Sequence, residues 1–253
     1  MKDDRNFDDL IDRFEERIYA TDKGSWRLKL IKQDIDAILS LKEKLDIWDA
    51  GCGLAQVSQW LASKGHHVTL CDLSEKMLAV AKKCFNEARL DADFHHASVQ
   101  TMAPKLPFFD VVIFHAVLEW LADPLPVLRT VIDKVKVGGY VSLLFYNRNA
   151  MVYSNVLKGK WRLKAVLNDD FIGQGNKLTP PNPHYPHEIV SFLERANFEI
   201  KSFTGVRVFS DYMTDEVMQK SSVEELFELE AQYCRLPTYR EMGRYIHLVA
   251  KKD

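Results

Sequence analysis

The feature that most constrains this chain is the alternation of short apolar strands with helical segments between residues 45 and 146. Leu45-Asp46-Ile47-Trp48 reads as a strand running into Asp49-Ala50-Gly51-Cys52-Gly53, and Val57, Trp60 and Leu61 place a helix after that loop. Gly65–Asp72 reads as a strand ending in an acid. Ser74 then caps a helix carrying Met77, Leu78, Val80 and Ala81, with Glu75 and Lys76 in its first turn. Phe94 marks a short strand. Phe109–Phe114 and Tyr140–Tyr146 are apolar at consecutive positions, as parallel strands covered on both faces are. A helix around Pro126–Val135 separates these two, and Gly138-Gly139 is read as the turn into the second. This rhythm predicts an open, mostly parallel α/β sheet with right-handed crossovers and helices on both faces. Ligands of such sheets bind beyond the carboxyl ends of the strands. The positions to examine are therefore Gly51–Gly53, Asp72, Val99-Gln100 and His115.

The flanks read differently. Residues 7–43 look helical: Phe7, Leu10, Ile11, Phe14 and Ile18 recur at helical spacing, Thr21–Gly24 interrupts, and Leu28 to Leu41 resumes the pattern. After 147 the rhythm breaks, and 148–185, with its Gly, Asn and Pro clusters, is read as an insertion. Pro186 starts a helix, Phe198–Val208 reads as a strand, Val223–Cys234 as a helix and Tyr245–Ala250 as a closing strand. Strand, helix and strand at the end suggest an antiparallel final strand inserted into the sheet. We read residues 1–253 as a single domain, with N-terminal helices (1–44) over the ligand site and the 148–185 insertion as its elaboration.

With 34 Lys and Arg against 36 Asp and Glu, the formal net charge is -2. Any contact with nucleic acid must then come from a local basic patch. The four cysteines, Cys52, Cys71, Cys84 and Cys234, form no C-x-x-C pair and read as reduced structural thiols. The eight histidines are scattered, so no metal site is expected. The polar amino terminus is unlike a secretory signal, and no apolar run is long enough to span a bilayer, which suits a cytoplasmic protein without a membrane partner. No obligate protein partner is evident.

Gly51 and Gly53 let the backbone turn tightly and approach a ligand closely. Asp72, about twenty residues on, is placed to grip ribose hydroxyls. Dinucleotide sites and methyl-donor sites share this pair of features. The dinucleotide pattern G-x-G-x-x-G needs glycine at 56, where this chain has Gln56. Asp49 would repel a pyrophosphate but favours a cationic sulfonium. S-adenosylmethionine is thus the expected cofactor, ahead of a nicotinamide or flavin dinucleotide.

The segment Asp49-Ala50-Gly51-Cys52-Gly53 resembles motif I of class I methyltransferases, with Ala55 in place of the last glycine, which implies their Rossmann-like fold. Five further blocks sharpen the resemblance: Arg5–Asp9, Phe114–Trp120, Leu144–Asn147, Thr204–Phe209 and Gly243–His247. Together they resemble the bacterial tRNA 5-carboxymethoxyuridine methyltransferase family. That resemblance implies methyl transfer from S-adenosylmethionine to the carboxylate of 5-carboxymethoxyuridine at the tRNA wobble position, giving the methyl ester. It also implies that Arg27 pairs with the donor's methionine carboxylate, that Gly51 and Cys52 contact the donor through the backbone, and that Asp72 holds the ribose. Val99 and Gln100 would flank the adenine, and His115 would close over the donor beside the reacting centre.

A carboxylate is ionised at neutral pH, its ordinary pKa being about 4, so no general base is required. Tyr146, Arg148, Arg207 and Arg244 are candidates for holding the substrate carboxylate or nearby phosphates; Arg207 and Arg244 suit a structural salt bridge equally well. Phe114, Val117, Leu118 and Trp120 read as packing. Arg148, Lys158, Lys160, Arg162 and Lys164, with Trp161 among them and no acid between, suit phosphate contact and base stacking at an anticodon loop, or equally a solvated helix face. A carboxyl methyltransferase acting on a small molecule or carrier protein is the alternative reading.

Overall fold

A computed structural model describes residues 4–9, 21–39, 43–170 and 179–253. Its centre is one seven-stranded sheet. The strands are β1 (Asp46–Ala50), β2 (His67–Asp72), β3 (Asp93–His96), β4 (Phe109–His115), β5 (Val135–Tyr146), β6 (Phe198–Val206) and β7 (Tyr245–Lys252), in the order β3-β2-β1-β4-β5-β7-β6. Neighbours pair in parallel from β3 through β5, whereas β7 runs antiparallel to both β5 and β6. The inserted antiparallel strand is the one expected from the sequence. Strand order reverses between β1 and β4, which opens a crevice beyond their carboxyl ends.

Ten α-helices among the described residues surround this sheet. They are α1 (Asp22–Leu39), α2 (Gln56–Ser63), α3 (Glu75–Glu87), α4 (Val99–Met102), α5 (Pro124–Ile132), α6 (Arg148–Lys158), α7 (Trp161–Leu167), α8 (Pro186–Arg195), α9 (Asp215–Lys220) and α10 (Val223–Tyr233). Alternate residues of each strand feed two cores. On one face Ile47, Val111, Ile113 and Leu144 meet Ile31 and Ile35 of α1, Leu61 of α2 and Phe85 of α3. On the other, Trp48, Val112, Phe114, Leu143 and Phe145 meet Leu128 of α5 and Ile189 and Leu193 of α8. The period of two along the strands produces this sorting.

Several local expectations need correction. Gly138-Gly139 is no turn before a strand; it lies within β5. The strand advances from Val135 to Tyr140 while β4 advances only from Phe109 to Val111, so the glycines carry a bulge. Gly138 has φ +76, and a Cβ on Gly139 would come within 2.8 Å of the Asp110 carbonyl oxygen. Within the stretch 148–185, read as an insertion, α6 and α7 occupy the first half. Residues 7–9 are not helical, β6 ends at Val206, and Val135 belongs to β5 and not to the preceding helix. Leu10, Ile11, Phe14, Ile18 and Leu41, and residues 171–178 of the insertion, lie outside the described residues.

Candidate active site

The crevice at the β1–β4 switch point is a pocket lined by the segment 4–7, by α1, by the strand ends and loops up to Leu144, and by Tyr245. Arg27, Gly51, Cys52, Asp72, Val99, Gln100 and His115 all line it, so the seven positions singled out from the sequence converge. The loop after β1 is built for close approach. Gly51 (φ +83) and Gly53 (φ +54) adopt left-handed conformations, and a Cβ on Gly51 would strike Val117 Cγ2 at 2.5 Å. Ala55 also takes a left-handed conformation, φ +55, as the N-cap of α2, where a glycine would be unstrained.

Asp72 braces this loop. Its Oδ2 accepts the Gly53 N–H (2.7 Å) and its Oδ1 the Ser74 N–H (2.8 Å), and each oxygen keeps a further lone pair for a ligand. Burial raises its pKa, against the pull of these two N–H groups. Asp49 lies below, buried, and accepts a hydrogen bond from Ser58 Oγ. Burial pushes its carboxyl up to about 7, and the neighbouring Asp72 adds to this. No cation among the described residues pairs with Asp49, and its raised pKa follows from that uncompensated burial.

The sequence reading set N-terminal helices over the site but did not name the pocket contacts of residues 4–9, which are not helical. Asp4, Arg5 and Phe7 also line the pocket, in a strap tied down on both sides. Asp4 accepts from Gln100 Nε2 (2.7 Å) and the Ala122 N–H (2.8 Å), and the Arg5 N–H donates to the Trp120 carbonyl (3.2 Å). Asn6 Nδ2 donates to the Leu73 carbonyl (3.1 Å), and Asp8 accepts from Ser74 Oγ and from the Lys76 N–H. Phe7 packs edge-on against Trp120, ring centres 4.9 Å apart. Val117 and Trp120 line the pocket too, a correction to their reading as packing residues; Phe114 and Leu118 are core. The strap ties are polar contacts across 66 to 118 residues of sequence, which no local pattern announces.

A second cluster stands at the same sheet edge, where β5 and β6 end and β7 begins. Asp211 Oδ1 accepts from Lys23 Nζ (3.1 Å) and from Arg207 Nη2, and Arg244 Nε lies 3.5 Å from Asp211 Oδ2. Burial would raise the Asp211 carboxyl, but Arg207, Arg244 and Lys23 outweigh it and hold it low. Three cations therefore face one carboxylate. The Arg244 guanidinium also stacks on Tyr146 (5.2 Å), which packs edge-on against Tyr245, itself a residue of the pocket. Arg207 Nε is buried without a hydrogen-bond partner. The loop that carries these groups is held by Glu230 of α10, whose carboxylate accepts the N–H groups of Val208, Phe209 and Ser210. Tyr146, Arg207 and Arg244 are thus brought together. Arg148 is turned elsewhere, paired with Asp169 and stacked on Tyr185. Among the described residues no cluster of His, Cys, Asp and Glu fits a metal ion, and all four cysteines are free.

Comparison with known proteins places this geometry. A family model described as a methyltransferase domain matches residues 48–143. A solved magnesium protoporphyrin IX methyltransferase from Synechocystis, with S-adenosylhomocysteine bound, superposes with a TM-score of 0.65 at 17% identity, over 98% of this chain and 96% of that one. A [4+2]-cyclase superposes at 0.59 and 18% identity, over 91% of this chain and 81% of that one, so this likeness concerns the fold alone. A ubiquinone biosynthesis O-methyltransferase of Aromatoleum aromaticum is 33% identical over 71% of this chain and 73% of its own length. The tRNA 5-carboxymethoxyuridine methyltransferase of Escherichia coli K12 is 40% identical over 98% of this chain and 97% of its own, well beyond the shared domain. The chain therefore belongs to the tRNA 5-carboxymethoxyuridine methyltransferase family.

Proposed function

We propose that this protein transfers the methyl group of S-adenosylmethionine to the carboxylate of 5-carboxymethoxyuridine at the wobble position of tRNA, forming the methyl ester. The observation that carries the reading is an anion site beside a cation site: Lys23, Arg207 and Arg244 around a single carboxylate, joined through Tyr146 and Tyr245 to a pocket floored by the buried acid Asp49. The pocket fits the donor. Gly51 leaves space that a Cβ would fill, and Asp49 offers negative charge to a sulfonium. In this reading Arg27 pairs with the donor's carboxylate, Gly51 and Cys52 approach it through the backbone, Asp72 takes the ribose hydroxyls, and Val99 and Gln100 flank the adenine. His115 lies nearest the reacting centre. The bound donor supplies an electrophilic methyl carbon.

The protein's own work is placement and drying. The substrate carboxylate arrives ionised, so the surplus charge around Asp211 needs only to strip its water and orient one oxygen. Asp211 keeps these cations from gripping the anion so tightly that it loses nucleophilicity. Arg207 Nε, buried and without a hydrogen-bond partner, is a donor still free for this task. For the tRNA itself, α6 and α7 present Lys158, Lys160 and Lys164, with Trp161 half exposed and Arg162 stacked over its ring at 4.7 Å. Phosphates along an anticodon arm and a stacked base suit that surface. A tRNA substrate supports a cytoplasmic setting. No helix among the described residues is long and apolar enough to cross a membrane.

The test is methyl transfer by the purified protein to tRNA bearing 5-carboxymethoxyuridine, read by nucleoside mass spectrometry. The expected product is the methyl ester on the wobble nucleoside, lost in Arg207→Ala with donor affinity retained. Turnover on the free nucleoside or a carrier protein in preference to tRNA would replace this reading with that of a small carboxyl methyltransferase.

A further inference from the structure

The terminal block of the sequence ends in His247, which the pocket does not use. This side chain is fully buried and belongs to a hydrogen-bonded row across three adjacent strands, beneath α1. His115 of β4, Ser142 of β5 and His247 of β7 share one face of the sheet; the register sets Ile113 beside Ser142 and Leu144 beside His247. His115 Nε2 lies 2.8 Å from Ser142 Oγ, and Ser142 Oγ lies 2.8 Å from His247 Nε2. His247 Nδ1 lies 2.7 Å from Asp34 Oδ2. The other oxygen of Asp34 accepts from Arg235 Nη2 (2.7 Å) and Nε (3.1 Å). Asp34 sits on α1 seven residues, two helical turns, beyond Arg27.

The protons along this row are determined by the partners. Burial opposes ionisation of Asp34, but His247 and Arg235 hold its carboxyl down at about 2. As an anion it accepts only, so His247 Nδ1 carries a proton. Arg235 already meets the Asp34 charge, and in the neutral form of the fully buried His247 ring Nε2 is a lone pair. Ser142 has one proton, which goes to that nitrogen, and its oxygen accepts from His115 Nε2–H. Burial, with the Arg27 guanidinium nearby, keeps His115 neutral. Its Nδ1 is left as a hydrogen-bond acceptor.

We propose that Arg235, Asp34, His247 and Ser142 form a positioning relay that locks His115 as the Nε2–H tautomer, so that the ring brings an acceptor nitrogen to the donor pocket. An acceptor suits the ammonium and sulfonium end of the methyl donor; an N–H would set like polarity against it. The same row pins α1, and with it Arg27, to the sheet. The tautomer stands independently of the donor, whereas its consequence for affinity rests on the reading of the pocket given above.

Ring-nitrogen NMR on the full-length protein with labelled histidine tests this, with His115→Ala assigning the signals. His115 is expected to carry its proton on Nε2 with Nδ1 unprotonated. Ser142→Ala abolishes that fixed signature and weakens S-adenosylmethionine binding about tenfold by calorimetry. In a His115→Ala background Ser142→Ala produces no further loss, because it acts through that ring. Asp34→Asn, which keeps the shape, gives the same loss of signature should the serine variant fold poorly. A proton on His115 Nδ1 in the unaltered protein, or additive losses from the two substitutions, overturns the relay. The expected tautomer in a protein that binds no S-adenosylmethionine would instead overturn the donor reading alone.

Discussion

At the scale of single residues, two positions flanking the first loop carry strain of different kinds. Ala55 holds a left-handed backbone that costs an L residue about 1–2 kcal/mol, part of which a glycine returns through its looser unfolded chain. Ala55→Gly is therefore expected to raise stability by about 0.5–1 kcal/mol in urea titration; a loss of stability would show that the Ala55 methyl packs better than its backbone suggests. Asp49 stores electrostatic strain. Its folded pKa of about 7 lies above its ordinary 3.8, so the native state holds this proton to higher pH than the unfolded chain. The stability it confers is full below about pH 4 and is lost as pH rises through 7. Glu119, buried and raised to about 8, works in the same sense. Asp49→Asn removes one of these penalties, so its melting temperature exceeds the parent's at pH 8 and approaches it at pH 4. The same change costs about tenfold in affinity for the cationic donor and little for the neutral S-adenosylhomocysteine. Equal losses for both would mean that Asp49 shapes the loop without reading charge.

At the scale of elements, the strap of residues 4–9 and the helix α3 act as one unit. Ser74 caps α3 by accepting the Met77 N–H, and its hydroxyl donates to Asp8. The hydrogen bond from Ser74 is the main influence holding the Asp8 carboxyl below its usual range. Asp8→Ala frees one end of the strap while leaving the cap in place. Donor dissociation by stopped flow is expected to accelerate several-fold, with hydrogen exchange rising across 4–9 and global stability changing by under about 1 kcal/mol. An unchanged dissociation rate would make the strap a passive cover.

At the scale of the whole molecule, charge is divided between surfaces. The net charge of -2 hides a basic run on α6 and α7 in which Lys158, Lys160 and Lys164 make no ion pair with a described residue. Replacing these three lysines by alanine should leave donor affinity intact. The log–log salt slope of tRNA binding should become shallower by about 0.7–0.9 for each phosphate that a lysine no longer neutralises. A parallel slope with lower affinity would place the RNA elsewhere. The anion cluster, by contrast, depends on chain crossing: a Cβ on Gly205 would come 2.2 Å from the Arg240 carbonyl oxygen, and one on Gly243 2.6 Å from Val206 N. Those close approaches bring Arg207 and Arg244 to the same carboxylate.

The order of strands and helices from 45 to 146, the loop Asp49–Gly53, the acid at 72 and the ligand edge at 115 were legible in the chain itself. Local hydrophobic period and glycine spacing are properties of contiguous residues, and the strand-end rule converts them into a site. Three things were decided only in three dimensions. The strap joins residue 4 to residues 100 and 122; the anion cluster joins 23, 207, 211 and 244; the buried row joins 34, 115, 142, 235 and 247. Each is a set of polar groups whose partners lie far apart in sequence, and a polar residue carries no period that names its partner. The same physics explains why Asp49 is legible as an acid but not as one whose pKa is pushed up to about 7: composition supplies the carboxyl, and only burial decides how readily it gives up its proton to an arriving cation.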